Sequence, residues 1–253
     1  MTLSTHQWHQ RYQHQARWTK PLRNYVFEKI GIHSATRILE VGCGTGVILE
    51  ELSQLSPLNI FGVDINLQSI SLAREYAPRS ILTLGNGLSL PFHSATFNIV
   101  LCHFLLLWVG NPLTVITEMV RVTLPGGFVL ALAEPDYGGR IDYPQELEKV
   151  SRWQTEALRV QGANPIIGRE LRSHFSGLDL TNIEVGVLGG QWSELQTDEE
   201  VESEWEVINS DLDQNKEYIL EADKLKAIDI SSRMMQQRIL YVPTFYAIGK
   251  VRD

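Results

Sequence analysis

A short apolar run, Arg37-Ile-Leu-Glu-Val, is followed by glycines at three alternate positions, Gly42, Gly44 and Gly46, and then by a second apolar run from Val47. This reads as a strand, a tight turn and a helix. Glycine is needed where a backbone must take φ > 0 or lie against a ligand with no Cβ in between. The free N–H groups at the start of the next helix suit an anionic or polar ligand. The loop therefore points to a nucleotide-like ligand, the alternative being a tight βα turn that holds nothing.

Spacing narrows the choice. The dinucleotide fingerprint G-x-G-x-x-G would place its third glycine at Val47, and the phosphate loop would need G-x-x-x-x-G-K-[ST]; the run here is G-x-G-x-G with Glu40 two positions ahead. A second strand, Asn59-Ile-Phe-Gly-Val-Asp-Ile, ends in Asp64, 18 positions after Gly46. An acid there can accept from ribose hydroxyls or cap a helix over 67–76. Leu84-Gly-Asn-Gly-Leu-Ser-Leu-Pro-Phe, Phe97-Asn-Ile-Val-Leu-Cys and Leu124-Pro-Gly-Gly-Phe-Val-Leu-Ala-Leu follow in order.

Leu39-Glu-Val-Gly-Cys-Gly-Thr-Gly resembles the first motif of class I S-adenosylmethionine (SAM) dependent methyltransferases. Gly62-Val-Asp-Ile resembles their second motif, with Asn66 where serine is common. Residues 84–92 resemble G-D-A-x-x-L-P-F, with Asn86 in place of the acid, and 124–132 resemble the L-x-P-G-G element before the fifth strand. Asn98 stands where the family often has Asp. The resemblance covers about residues 34–135 and lies nearest the small-molecule branch that includes ubiquinone- and menaquinone-biosynthesis enzymes. It implies SAM as methyl donor, S-adenosylhomocysteine as product and no metal. Glu40, Gly42, Cys43, Gly44 and Gly46 would hold the methionine and ribose, Asp64 the ribose hydroxyls and Asn86 the adenine amino group, with Ile65, Gly87 and Leu88 also against the cofactor. Asn86 can still accept through its carbonyl but carries no charge.

Strand and helix signals alternate from 36 to 135, the mark of a doubly wound α/β sheet. The expected fold is a Rossmann-like sheet of seven strands, mostly parallel, closed as in the resembling family by an antiparallel hairpin of 179–189 and 244–251. Residues 1–33 are expected to form a helical cap, with a second helix starting after Pro21, and 34–253 the methyltransferase domain. A helical insert at 190–240 would sit between the last two strands as a lid or oligomer surface, its stripe formed by Trp205, Ile208 and Leu212. The acid-rich run 198–206 reads as a solvated helix start.

In open α/β sheets ligands bind at the carboxyl ends of the strands. His103 follows strand four and is the candidate base; the alternative is a histidine satisfied at a strand end. Asp136 and Tyr137 are candidates to hold a polar substrate, or else belong to a turn set by Pro135 and Gly138-Gly139. Arg140 would pair with a substrate carboxylate or a surface acid. Tyr12, Trp18 and Trp108 are candidate pocket walls, with Trp8 beside them, since aromatic faces attract a sulfonium; the alternative is core packing. Arg17 would meet the SAM carboxylate, and Trp192 would line the pocket.

The 22 basic and 30 acidic residues give a net charge of −8 with no basic cluster, which argues against nucleic acid as partner. No apolar run reaches the ~18 residues of a membrane span, and the first residues lack a secretory pattern. Two cysteines, Cys43 and Cys102, form neither a disulfide framework nor a zinc motif. A reducing cytoplasm and a small-molecule substrate are expected, with a homodimer left open. The rival functions are a non-catalytic SAM-binding regulator and an NAD-dependent oxidoreductase.

Overall fold

The computed structural model describes residues 4–55, 59–187, 198–212 and 216–253. In chain order its elements are α1 (Thr5–Ile30), β1 (Arg37–Val41), α2 (Val47–Leu55), β2 (Asn59–Asp64), α3 (Leu67–Tyr76), β3 (Ile81–Leu84), β4 (Phe97–His103), α4 (Pro112–Val122), β5 (Thr123–Pro135), β6 (Ile141–Tyr143), α5 (Glu148–Val160), α6 (Ile167–Ser176), β7 (Leu180–Val187), α7 (Asp198–Leu212), α8 (Lys216–Met234), β8 (Ile239–Tyr241) and β9 (Thr244–Val251).

Seven strands form one sheet in the order β3-β2-β1-β4-β5-β9-β7. The first five are parallel, and β9 runs antiparallel to both β5 and β7. The near-continuous apolar runs of β1, β4 and β5 follow from burial on both faces. Alternate side chains go to opposite layers. Ile38, Ile99, Leu101, Leu130 and Leu132 pack under α1 and α2. Leu39, Val100, Cys102, Val129 and Ala131 pack under α4 and α6. Strand order reverses at β1, and Val41 at its end pairs with Cys102 of β4. The glycine turn and His103 thus leave the sheet side by side.

Asn98 accepts from Thr36 N, Thr36 Oγ1 and Arg37 N at 3.0, 2.8 and 2.9 Å. Its amide oxygen pins the start of β1 to β4 without needing a charge.

Two expectations are corrected, and one element comes in addition. No second helix begins after Pro21; α1 runs through it. Pro21 is exposed, so the carbonyl deprived of a partner by the missing N–H can face water. Just before it, Thr19 Oγ1 donates to Gln15 O and Arg23 Nη2 to Ala16 O, both at 2.7 Å. The acid-rich run is not simply solvated: Glu204 is buried and pairs with Arg233 at 3.2 Å, while Glu202 meets Lys226 at 2.6 Å. A second, two-stranded antiparallel sheet of β6 and β8 was not foreseen.

The helices between β7 and β9 have a small core of their own, in which Trp205 and Ile208 of α7 meet Leu147, Val150 and Trp153 from α5 and the turn before it. The side chain of Leu212 lies outside the described residues. Beneath this core runs a chain of ion pairs. Asp142, buried on β6, accepts from Arg140 Nε at 2.7 Å and from Arg238 Nη2 at 2.7 Å. Arg238 also donates to Asp229, which takes Trp205 Nε1 at 2.9 Å. Asp142→Ala would leave two buried guanidinium groups without their shared carboxylate. The expected loss is about 3–5 kcal/mol in the urea unfolding free energy; a loss below about 1 kcal/mol would show that the network adds little.

Candidate active site

All three turn glycines take the left-handed conformation, with φ of 72° at Gly42, 50° at Gly44 and 84° at Gly46. L-residues visit this region at a cost. Space is also denied: a Cβ on Gly42 would stand 2.6 Å from Leu105 Cδ1, and one on Gly46 3.1 Å from Ala73 Cβ. Gly42 and Cys43 donate their N–H groups to Val63 O at 2.8 and 3.1 Å. The carboxylate of Asp64 accepts from Gly44 N and Asn66 N, both at 2.8 Å. Asp64 does not cap α3; Asn66 does, accepting from Gln68 N and Ser69 N.

Glu40 ends up beneath this turn, 2% exposed, and its Oε2 has no hydrogen-bond partner. Burial holds its carboxyl well above the usual range, opposed by the charge of Arg23 and reinforced by Asp64 and Glu51. A buried carboxyl left without a donor is costly. A bound group with an N–H or hydroxyl to offer would relieve it. The glycine cradle and this orphaned acid therefore fit a polar ligand such as SAM.

Helix α1 lies across the turn. A Cβ on Gly44 would be 3.5 Å from the Tyr12 ring, which stacks on Trp8 at 5.8 Å. Burial, and then the charge of Asp64, raise the Tyr12 pKa. His9 Nδ1 is 2.8 Å from Thr45 Oγ1 within the turn, and its ring stacks on Tyr76 at 3.6 Å. On the β2–β3 side, Ile65 and Leu88 are 71% and 41% exposed. Such uncovered apolar surface suits a planar base. Asn86 Oδ1 already accepts from Leu88 N at 2.9 Å, so only its second lone pair is left for an adenine amino group. Gly87 sits in the same turn, where a Cβ would approach Val41 to 3.3 Å.

His103 is half-buried at the end of β4. Its Nε2 is 2.9 Å from Thr19 Oγ1 and 3.4 Å from Arg23 Nη1. Burial, and then the Arg23 charge, hold its pKa well below the usual histidine range. Trp108 is 49% exposed at the end of the short 3-10 turn Leu106–Trp108, and Trp18 is 49% exposed on α1.

Other expected substrate contacts are engaged elsewhere. Asp136 is buried and holds α6 through Arg169, with Nε–Oδ2 at 2.5 Å and Nη2–Oδ1 at 2.8 Å. Arg140 is spent on Asp142 and Gln154, with a side chain 3% exposed. Arg17, expected to meet the SAM carboxylate, pairs with Glu200 of α7 at 2.9 Å. Tyr137 donates its N–H to Pro165 O at 2.8 Å. Trp192 lies outside the described residues.

The sequence places Glu134 at the carboxyl edge of the sheet but gives it no role. At the end of β5, fully buried, it accepts from Leu105 N and Leu106 N at 3.0 Å and from Leu107 N at 3.3 Å. It thereby seats the segment whose Leu105 packs against Gly42. The available signal was an acid closing the apolar run Val129-Leu-Ala-Leu-Ala.

Residues 39–131 match the family model described as a methyltransferase domain. Over those residues the chain is similar to a methyltransferase domain. It is 32% identical over 168 residues to an uncharacterized methyltransferase of Schizosaccharomyces pombe, covering 61% of this chain and 60% of that one. It is 35% identical over 108 residues to the demethylmenaquinone methyltransferase of Deinococcus radiodurans, covering 41% of this chain and 45% of the relative. The chain thus spans about half the length of such relatives. The methyltransferase fold extends further: a putative sarcosine dimethylglycine methyltransferase from Galdieria sulphuraria superposes with a TM-score of 0.58 at 13% identity, over 94% of this chain and 86% of that one. The Haemonchus contortus phosphoethanolamine N-methyltransferase 2, solved with S-adenosylhomocysteine, gives 0.54 at 16% identity, over 86% of this chain and 49% of that one.

Burial pushes the Glu134 carboxyl up to about 7, against the pull of its three backbone donors. The unfolded chain would release this proton near pH 4.5, so the folded state holds it where the unfolded state does not. The stability this gives is full below about pH 4.5 and is lost as pH rises through about 7, an effect of roughly 3 kcal/mol. Glu134→Gln should flatten that slope in unfolding free energy measured from pH 4.5 to 8. An unchanged slope would assign it to other groups.

Proposed function

We propose that this protein transfers the methyl group of SAM to an O, N or C nucleophile of a small organic molecule. The observation that carries the reading is the unpartnered Glu40 carboxyl beneath three left-handed glycines. Gly42 to Gly46 would cradle the methionine and ribose, Glu40 would meet a donor of the ligand, Asp64 would accept from the ribose, and Ile65 and Leu88 would flank the adenine. Bound there, SAM supplies a methyl group already activated on a sulfonium, so catalysis is largely alignment.

The chain's own contribution is to position the acceptor and exclude water. Trp108, Trp18 and Tyr12 would wall the acceptor side, and His103 would take a proton if the nucleophile must lose one. A small acceptor is supported by the net charge of −8 and by the quinone-related name of the Deinococcus relative. No helix among the described residues is long and apolar enough to cross a membrane. The two cysteines are free and buried, which suits a reducing compartment such as the cytoplasm. An amide at Asn98, where the family often has Asp, does not favour a SAM-binding regulator without catalysis, because Asn98 has a structural task that an amide performs.

Isothermal titration should show SAM and S-adenosylhomocysteine binding; no heat from either at millimolar concentration would sink the reading. Asp64→Asn should weaken SAM by about 1.5–3 kcal/mol, the scale of hydrogen bonds to a charged group. Unchanged affinity would mean that Asp64 only ties the backbone of the turn.

A further inference from the structure

We propose that Thr19 and Arg23 of α1 are positioning residues for His103, fixing its proton on Nε2 and presenting an unprotonated Nδ1 to the methyl acceptor. This rests on the reading of His103 as the base of a methyl transfer.

A count of protons around Thr19 fixes the tautomer of His103. Thr19 Oγ1 has four polar neighbours: Gln15 O at 2.7 Å, Arg23 Nη1 at 2.6 Å, His103 Nε2 at 2.9 Å and Ala16 O at 3.5 Å. The hydroxyl has one proton to give and two lone pairs to fill. A carbonyl cannot donate, so the short contact to Gln15 O takes the hydroxyl proton. Arg23 can only donate, so it fills one lone pair. The other is satisfied when His103 Nε2 carries a hydrogen and donates it at 2.9 Å; Arg23 Nη1 also faces Nε2, but at 3.4 Å, beyond the usual hydrogen-bond range, and its short bond goes to Thr19. The neutral ring then has its lone pair on Nδ1. Among the described residues no hydrogen bond reaches Nδ1, and Nδ1 is not one of the buried polar atoms left without a partner. It is therefore the ring atom open at the carboxyl edge of the sheet, one strand from the glycine turn.

Arg23 is held rigidly for this task. It is fully buried, with Nε and Nη2 on Glu51 at 3.0 and 2.5 Å and Nη2 also on Ala16 O. Glu51 is its counter-ion from α2, and Arg23 is the charged group that bears on His103. Its positive charge opposes a second proton on the ring, so Nδ1 stays available in mildly acidic solution. During turnover Nδ1 would take the proton lost by the nucleophile and pass it to solvent. A base this weak serves an acceptor with an acidic proton, such as an enol or phenol, better than an aliphatic alcohol.

The test is NMR of the full chain labelled with 15N-histidine, the His103 signals being assigned by their loss in His103→Asn. At pH 6 an ordinary histidine is about three-quarters protonated. His103 should instead be neutral, with the proton on Nε2. Thr19→Ser should keep that pattern, and Thr19→Val should lose the single tautomer while SAM titration shows the cofactor site intact. A proton on Nδ1, titration like an ordinary histidine, or an unchanged pattern in Thr19→Val would overturn the proposal. Methyl transfer is read separately, from labelled SAM against a phenol and enol panel. A wild-type protein with the expected tautomer that neither binds SAM nor transfers methyl would refute the functional reading and leave the positioning intact.

Discussion

The turn after β1 depends on being held open from outside, by the end of β2. Val63 O takes the N–H groups of Gly42 and Cys43, and Asp64 takes that of Gly44. Without those acceptors a turn with three left-handed glycines at alternate positions would be costly to hold, since glycine loses more conformational freedom on ordering than any other residue. Asp64 also takes Asn66 N, and Asn66 in turn caps α3. One carboxylate thus couples the turn, the end of β2 and the start of the next helix.

The second constraint is α1. A single helix touches the turn through His9 and Tyr12 and, about two helical turns after Tyr12, touches His103 and α2 through Thr19 and Arg23. The proposed cofactor and acceptor sides therefore share one rigid wall. Removing a fully buried guanidinium or its carboxylate would be strongly destabilising, so this wall is fixed at the Arg23 end. On the opposite flank Glu134 plays a matching part, gathering three N–H groups of the 105–107 segment and pressing Leu105 onto Gly42.

How far the chain could be read in advance depended on how local the physics was. Val47–Leu55 was legible as a helix because its ends are set by Gly46 and by the apolar spacing within it. The strands at β1, β4 and β5 were legible from unbroken apolar runs. Pro21 misled, because tolerance of a proline depends on which side of the helix meets water. Asp136 and Arg140 looked like substrate ligands and Arg17 like a cofactor ligand because the partner of a charged side chain is not visible in sequence; Arg169, Asp142 and Glu200 lie 33, 2 and 183 positions away.

The sequence alone determined the glycine turn, the acid at 64 and the order of alternating strands and helices, since each rests on backbone geometry or periodicity within a few residues. Only the tertiary structure decided which charged groups are free to meet a ligand. It paired Arg140 and Asp136 internally, left Glu40 without a donor beneath the turn, and brought Thr19 and Arg23 from α1 onto His103, 84 and 80 positions distant. Those choices depend on long-range packing, where burial makes every unpaired polar atom costly and so sorts the partnered from the poised.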